Sequence, residues 1–354
     1  MCTSKYKYNF QKNSMLDVII IGAGPTGLAC AIEAQKARLS YIVLEKGAIT
    51  ETVRRYPSNM TFFSTPELLA LDNIPFTSVN VRPTRREALQ YYRGVVDFHK
   101  LNLKLHTRVA AITKETPENS AESIFRVETV SELVPKTAQT SHQYTHKYFA
   151  KRVIIATGYF DFTNRLGIEG EDLPHVSHYY DEPYRYAKTN VVVVGGRNSA
   201  VEAALELWRH GAQVTLVHRG AELSSSVKYW VRPDIENRLK NKEISAFFSS
   251  VLTEITHESV RILNTETQKE EQIQTDFVFP LIGYRPDEIL LRAAGVELNE
   301  NLIPTHNPAT FETNVKGLYI AGSVACGCQT WTIFIENGRM HAAPIITDIR
   351  KHLG

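Results

Sequence analysis

Two stretches of the chain carry the same order of apolar and polar positions. Shifting the sequence by 173 places lays Asp17–Gly47 (DVIIIGAGPTGLACAIEAQKARLSYIVLEKG) on Asn190–Gly220 (NVVVVGGRNSAVEAALELWRHGAQVTLVHRG) without a gap. Each copy opens on a β-branched run, Val18–Ile21 or Val191–Val194, the pattern of a strand buried on both faces. A glycine-rich turn follows, then a helical period, then a second apolar run, Tyr41–Leu44 or Val214–Val217. Each copy is predicted to be one βαβ unit, and its repetition predicts an α/β fold with two Rossmann-like domains. Three further apolar runs end in small-residue turns: Val153–Ile155 before Ala156-Thr157-Gly158, Val278–Leu281 before Ile282-Gly283, and Leu318–Ile320 before Ala321-Gly322-Ser323.

In the first copy the turn reads Gly22-Ala23-Gly24-Pro25-Thr26-Gly27, and Glu45 closes the following strand. The first glycine permits a tight turn, the second lets backbone approach a pyrophosphate, and the third brings helix and strand together. The acid takes ribose hydroxyls. Phosphates belong at the helix N-terminus, where N–H groups and the dipole favour negative charge. The second copy departs from this. Gly195-Gly196-Arg197-Asn198-Ser199-Ala200 has arginine for the middle glycine and alanine for the third, and His218-Arg219 stands where the first copy has Glu45-Lys46. An acid there repels a 2′-phosphate, whereas His218 and Arg219 accept one, with Lys228 a further candidate. The second copy is therefore expected to take NADPH.

Composition removes several alternatives. With 354 residues, 43% hydrophobic and 22% charged, the chain reads as globular, with two or three domains. Forty basic against 38 acidic residues leave +2, too little for a protein devoted to nucleic acid or anionic membranes. No apolar run approaches the about 20 residues of a membrane span. Four cysteines, Cys2, Cys30, Cys326 and Cys328, are too few for a disulfide-stapled fold and wrongly spaced for structural zinc. Residues 1–14 lack the apolar centre of a signal peptide and read as a disordered tail, or as a mis-called start ahead of Met15. A soluble, cytoplasmic protein is expected. His175, His178, Tyr179 and Tyr180 fit no metal site and read as linker packing, so no metal is expected. Pro117–Gln143 reads as a hairpin edge or loop.

Together these motifs resemble the two-dinucleotide-binding-domain flavoproteins, and within them the thioredoxin-reductase-like group, over nearly all of residues 15–354. The resemblance implies FAD on the first copy, NADPH on the second, and a homodimer. It also implies a split flavin domain, 15–162 and 287–354, with an NADPH domain, 163–286, inserted. It adds Lys46, Val109, Thr157 and Gly158 to the flavin site, packs Met60, Phe62 and Phe63 against the flavin, and adds Gly283 to the NADPH site. Ser323, after Gly322, stands where most of the group has an aspartate binding the ribityl chain. A helix over Thr330–Met340, capped by Thr330 or Thr332, is expected to face the flavin pyrimidine, with Thr332 and Ile333 as backbone contacts.

Thioredoxin reductases carry a Cys-x-x-Cys pair in the NADPH domain. Tyr159–Lys188 contains no cysteine, which excludes that activity. The segments Arg55–Pro66, Gly195–Ala204, Ser224–Trp230 and Ile333–Arg339 instead resemble the bacillithiol disulfide reductase branch. That resemblance implies reduction of an oxidised low-molecular-weight thiol, with hydride from NADPH passing through FAD. The best-studied members of the branch have a cysteine where this chain has Thr26, and a threonine forms no mixed disulfide. Cys30, one turn further on, has the apolar context of a packed thiol. Cys326-Gly327-Cys328, between the ribityl turn and the expected helix, is the sharper redox candidate. The rival readings keep both cofactors but pass electrons to ferredoxin or flavodoxin, quinone or oxygen. A non-catalytic NADPH sensor is the reading from another class.

Overall fold

The computed structural model describes residues 15–116, 122–131 and 145–353. The tail 1–14 with Cys2, and most of 117–143, lie outside the described residues. The chain divides into two compact units: the described residues of Met1–Arg55, Met60–Phe162 and Arg285–Gly354 form one, and Tyr56–Asn59 with Thr163–Tyr284 the other.

The elements in chain order are β1 (Leu16–Ile21), α1 (Pro25–Lys36), β2 (Tyr41–Leu44), α2 (Glu51–Arg54), α3 (Pro66–Leu69), α4 (Arg85–His99), β3 (Leu103–Lys104), β4 (Thr107–Glu115), β5 (Ile124–Ser131) and β6 (Thr145–Ile155). Then come β7 (Phe162–Thr163), β8 (Asn190–Val194), α5 (Asn198–Arg209), β9 (Gln213–Val217), α6 (Arg232–Lys240), β10 (Ser245–Phe247), β11 (Ser250–Ile255), β12 (Ser259–Asn264), β13 (Glu270–Gln274) and β14 (Phe277–Pro280). The chain continues through β15 (Tyr284–Arg285), α7 (Glu288–Ala293), β16 (Leu318–Ile320), α8 (Ile335–Gly338) and α9 (Ala342–Leu353). Among the described residues no helix is long and apolar enough to cross a membrane.

The repeat seen in the sequence is a repeat of structure. Helices α1 and α5 are twelve residues each and begin 173 positions apart. In the first unit the sheet order is β3-β2-β1-β6-β5-β4, with β16 also on β6. Ile21 lies opposite both Leu44 and Ile155, and Ile320 opposite Ile155. The four parallel strands therefore end level, and Gly22, Glu45, Ala156 and Ala321 follow side by side at one edge, the edge where such sheets bind ligands. The second unit has the order β10-β9-β8-β14. There Val194 faces Val217 and Pro280, so Gly195, His218 and Leu281 follow in the same way. Each parallel sheet has an antiparallel companion. In the first unit β4, β5 and β6 continue the sheet itself, and in the second β11-β12-β13 form a separate one. Strand β5, from the segment read as a hairpin edge or loop, pairs on both sides.

Apolar residues on both faces of the central strands hold these layers. Ile19, Ile21, Leu44, Val153, Ile155 and Ile320 share one cluster. In the second unit Val191 and Val193 face the α5 residues Ala200, Val201, Ala204 and Leu207, while Val192 and Val194 face Leu252, Val260 and Ile262. Alternation along a buried strand puts successive valines on opposite sides.

Candidate functional site

The first turn is built by three atoms' worth of space. Gly22 has φ +106°, and a Cβ there would lie 2.5 Å from the Ala156 carbonyl oxygen. A Cβ on Gly27 would lie 2.0 Å from the carbonyl oxygen of Gly22, whereas one on Gly24 would meet nothing within 4 Å. Two glycines are thus demanded by protein atoms, and the third borders open space. Gly24 is the N-cap of α1 and Pro25 opens it; no side chain caps the helix and its first turn holds no acid. Helix α5 likewise lacks a side-chain cap and an acidic first turn. By contrast α4 is closed by a reciprocal Thr84–Glu87 capping box. Two bare helix N-termini at the carboxyl edges of parallel sheets fit dinucleotide phosphates.

Glu45 is buried at the end of β2, and its Oε2 accepts the Ala23 N–H at 2.7 Å while Oε1 accepts that of Gly47 at 2.8 Å. Burial pushes its carboxyl above the usual range, against the lowering effect of those two bonds. Its neighbour Lys46 pairs with Asp161 at 2.5 Å, and Arg55 holds the other oxygen of Asp161 at 2.5 Å. Arg55 also lies over the Phe160 ring. Sequence reasoning missed Asp161, whose partners lie more than a hundred residues away.

Three contact groups join several of the remaining flavin-site candidates. Gly22 packs on Ala156 and Thr157. The Ser323 hydroxyl lies 3.3 Å from where a Cβ on Gly158 would stand. Thr26, Gly322, Gly338 and Ile333 interlock: a Cβ on Gly322 would lie 2.6 Å from Thr26 Oγ1, and one on Gly338 3.2 Å from Thr26 Oγ1 and 3.3 Å from Ile333 Cγ2. Phe62 is buried, whereas Phe63 is 55% exposed, and Met60 is half-buried. Val109 packs at the margin of the sheet cluster, beside a break in the β4–β5 register.

The expected helix over Thr330–Met340 is corrected. Helix α8 has four residues, its N-cap is Phe334, and a separate 3-10 turn, Arg339–His341, precedes α9. Thr332 does not cap it, because its hydroxyl turns back to donate to the Gln329 carbonyl at 2.9 Å. Asn337 does that work from within: its Oδ1 accepts the Phe334 N–H at 2.7 Å and its Nδ2 donates to the Thr332 carbonyl at 2.9 Å. One turn of helix sums few peptide dipoles, so it supplies less of a macrodipole than the expected eleven residues would.

Burial works against thiolate formation at all three described cysteines. Cys30, Cys326 and Cys328 are free. Burial pushes Cys30 up to about 12 and Cys326 up to about 11. Cys326 Sγ donates to the Ser323 carbonyl at 3.0 Å. Cys328, half-buried, is also raised by burial, with Arg285 opposing.

In the second unit the same backbone carries other chemistry. A Cβ on Gly196, the counterpart of Ala23, would fall 2.4 Å from the His218 ring. Burial, with Arg219 and Arg197 nearby, lowers the His218 pKa, so the ring is neutral at pH 7. Arg197 is the N-cap of α5, Ser199 and Ala200 lie in its first turn, and Arg219 is exposed. Asn198 accepts the Lys228 N–H at 2.8 Å and donates to the Ser226 carbonyl at 3.0 Å, tying the helix to the following loop. Lys228 is 7% exposed and its ammonium donates to Glu202 at 2.5 Å, so an acid already engages its charge. Gly283 bonds with Asn164. His178 lies 3.4 Å from buried Glu171, which accepts the N–H groups of Leu166 and Gly167. Among the described residues no cluster of three or more His, Cys, Asp or Glu can hold a metal.

The pyridine nucleotide-disulphide oxidoreductase family matches residues 19–322. The bacilliredoxin reductase Bdr of Bacillus subtilis is 40% identical over 334 residues, 94% of this chain and 97% of that protein. The solved bacillithiol disulfide reductase of Bacillus cereus superposes with a TM-score of 0.89 at 38% identity, covering 96% of this chain and 100% of that one. The Staphylococcus aureus enzyme of the same description gives 0.87 at 35%, covering 96% and 99%.

Proposed function

The chain belongs to the pyridine nucleotide-disulphide oxidoreductase family, and on that premise we propose that it reduces the disulfide of a low-molecular-weight thiol at the expense of NADPH. It is an oxidoreductase, and FAD and NADPH are the cofactors that go with the family. The observation that carries the substrate class is likeness along the whole length to the two bacillithiol disulfide reductases. When bound, FAD takes a hydride from NADPH and supplies two electrons to the acceptor. One NADPH and one proton are consumed per disulfide, and two thiols are released.

The chain's own residues bind and orient. The bare N-terminus of α1 and the open side of Gly24 receive the FAD diphosphate, and Glu45, fixed by Ala23 and Gly47, offers its remaining lone pairs to the ribose. The Ser323 hydroxyl, beside Gly158, hydrogen-bonds the ribityl chain in place of a carboxylate. The α5 N-terminus and Arg197 receive the NADPH diphosphate. Exposed Arg219 supplies charge to the 2′-phosphate, and neutral His218 a hydrogen bond. Thr26 offers no sulfur, so the acceptor is reduced without a covalent link at that turn. The working form is a cytoplasmic homodimer, which sedimentation of the holoenzyme checks for its assembly.

Stopped-flow titration with NADPH, followed by a panel of disulfides, ferredoxin, flavodoxin and quinones, tests this reading. NADPH bleaches the flavin, and bacillithiol disulfide restores its colour. Colourless protein that takes up no FAD ends the proposal at its first step. Reoxidation only by one-electron acceptors ends the substrate assignment.

A further inference from the structure

The turn Gly322–Ser323 follows β16 and is buried at Gly322. Its leading N–H donates to Nδ1 of His341, at 3.2 Å. A backbone N–H only donates, so Nδ1 must be the unprotonated nitrogen of a neutral imidazole. Burial, with His306 nearby, lowers the His341 pKa to about 4, consistent with that tautomer at pH 7. The ring is also held flat: Phe311 stacks on it at 3.9 Å between centroids and 18° between planes, and Phe311 is in turn stacked with His306 at 5.8 Å and 13°. Phe311 is itself fixed to the strand that leads into the turn, since its carbonyl accepts the Ile320 N–H at 3.0 Å. Strand β16 therefore positions the ring that in turn positions the residue two places beyond the strand's end.

We propose that His341 is a positioning residue for the flavin: by accepting the Gly322 N–H it fixes the Ala321–Gly322 peptide, one link ahead of Ser323, and so orients the turn that presents the Ser323 hydroxyl. The inference rests on the flavin reading of the first unit. Nothing else described reaches that N–H, and a serine at this place depends on turn geometry more than a carboxylate does. A neutral hydroxyl acts only at short range, whereas a charged oxygen pair attracts over a longer distance and from more directions. His341 acts through the turn and touches neither substrate nor cofactor.

Two variants separate the roles of the ring. His341→Phe keeps an aromatic stack on Phe311 and deletes the acceptor. His341→Asn deletes the ring and keeps an acceptor near the position of Nδ1. FAD dissociation constants by fluorescence, and the visible spectrum of bound flavin, are the readouts. His341→Phe is expected to bind FAD about tenfold more weakly, the effect of leaving one buried N–H unpaired, and to shift the flavin band. His341→Asn is expected to recover most of the affinity. Affinity and spectrum unchanged in His341→Phe overturn the inference, as does an equal loss in both variants, which makes packing the cause. A wild-type protein that binds no FAD is a different result, because it overturns the flavin reading itself.

Discussion

The two glycine turns share a backbone and differ in a matched pair of residues. In the first unit Ala23 and Glu45 meet through an N–H to carboxylate bond of 2.7 Å. In the second, the counterparts are Gly196 and His218, and the imidazole fills the space that the methyl of an alanine would need. Glycine at 196 is therefore a consequence of the ring at the end of β9. A similar exchange occurs at the third turn position. Gly27 lies against the Gly22 carbonyl with no room for a methyl, while Ala200 is accommodated fully buried. The first unit grips its helix closely around an open Gly24, and the second accommodates a methyl at the third position and offers Arg197 at the middle one. The two units repeat one scaffold and differ in a few coordinated side chains at its turn.

The largest expected effect breaks the close grip. Gly27→Ala drives a methyl into the Gly22 carbonyl, and a loss of about 3 kcal/mol with loss of bound flavin is expected, because overpacking against backbone has no flexible partner to yield; thermal melts and flavin content check it. Ala200→Gly, the reverse change, should retain NADPH binding. Next in size is an exchange of chemistry. Gly196→Ala combined with His218→Glu rebuilds the first turn in the second unit, and the kcat/KM preference for NADPH over NADH is expected to fall by at least about tenfold. Gly196→Ala alone should weaken both nucleotides through its clash.

A third comparison uses pH. Glu45 holds its proton more tightly in the folded chain, so this group adds stability as pH falls through its raised value towards the ordinary 4.5. His218 holds its proton less tightly when folded, so it subtracts stability as pH falls below the ordinary 6.5. Between pH 7 and 5 the melting temperature of Glu45→Gln should therefore drop more than that of the wild type, and that of His218→Asn should drop less. The smallest effect concerns the thiols. Cys326→Ser with Cys328→Ser is expected to change the rate of disulfide reduction by less than about twofold, since a buried, raised thiol is a poor nucleophile; steady-state NADPH oxidation with the disulfide measures it.

Much of this architecture was legible in the residues. β-branched runs, glycine turns and a helical period are local signals, and they located both βαβ units, with every strand end matched and three of the four strand starts one or two residues late. Glu45 was legible as an acid ending a strand, although its bond to Ala23 was not. The helix near 335 was misjudged because its cap comes from Asn337, three residues inside, while Thr332 satisfies itself on Gln329. Asp161, His341 and the Ser64–Glu336 bond of 2.6 Å left no trace in periodicity, since each acquires meaning only when distant segments meet. The charge of Lys228 was visible in the sequence, and its engagement by Glu202 was not.

The interlock of Thr26 with Gly322 and Gly338 has a bearing on how the chain is made. Its halves are separated by nearly three hundred residues, and the whole second unit is synthesised in between. On the ribosome, residues 163–284 can complete their core while the opening βαβ segment still waits for β16 and α8. Nascent chains halted before Leu318 should then display a protease-resistant middle beside a cleavable beginning.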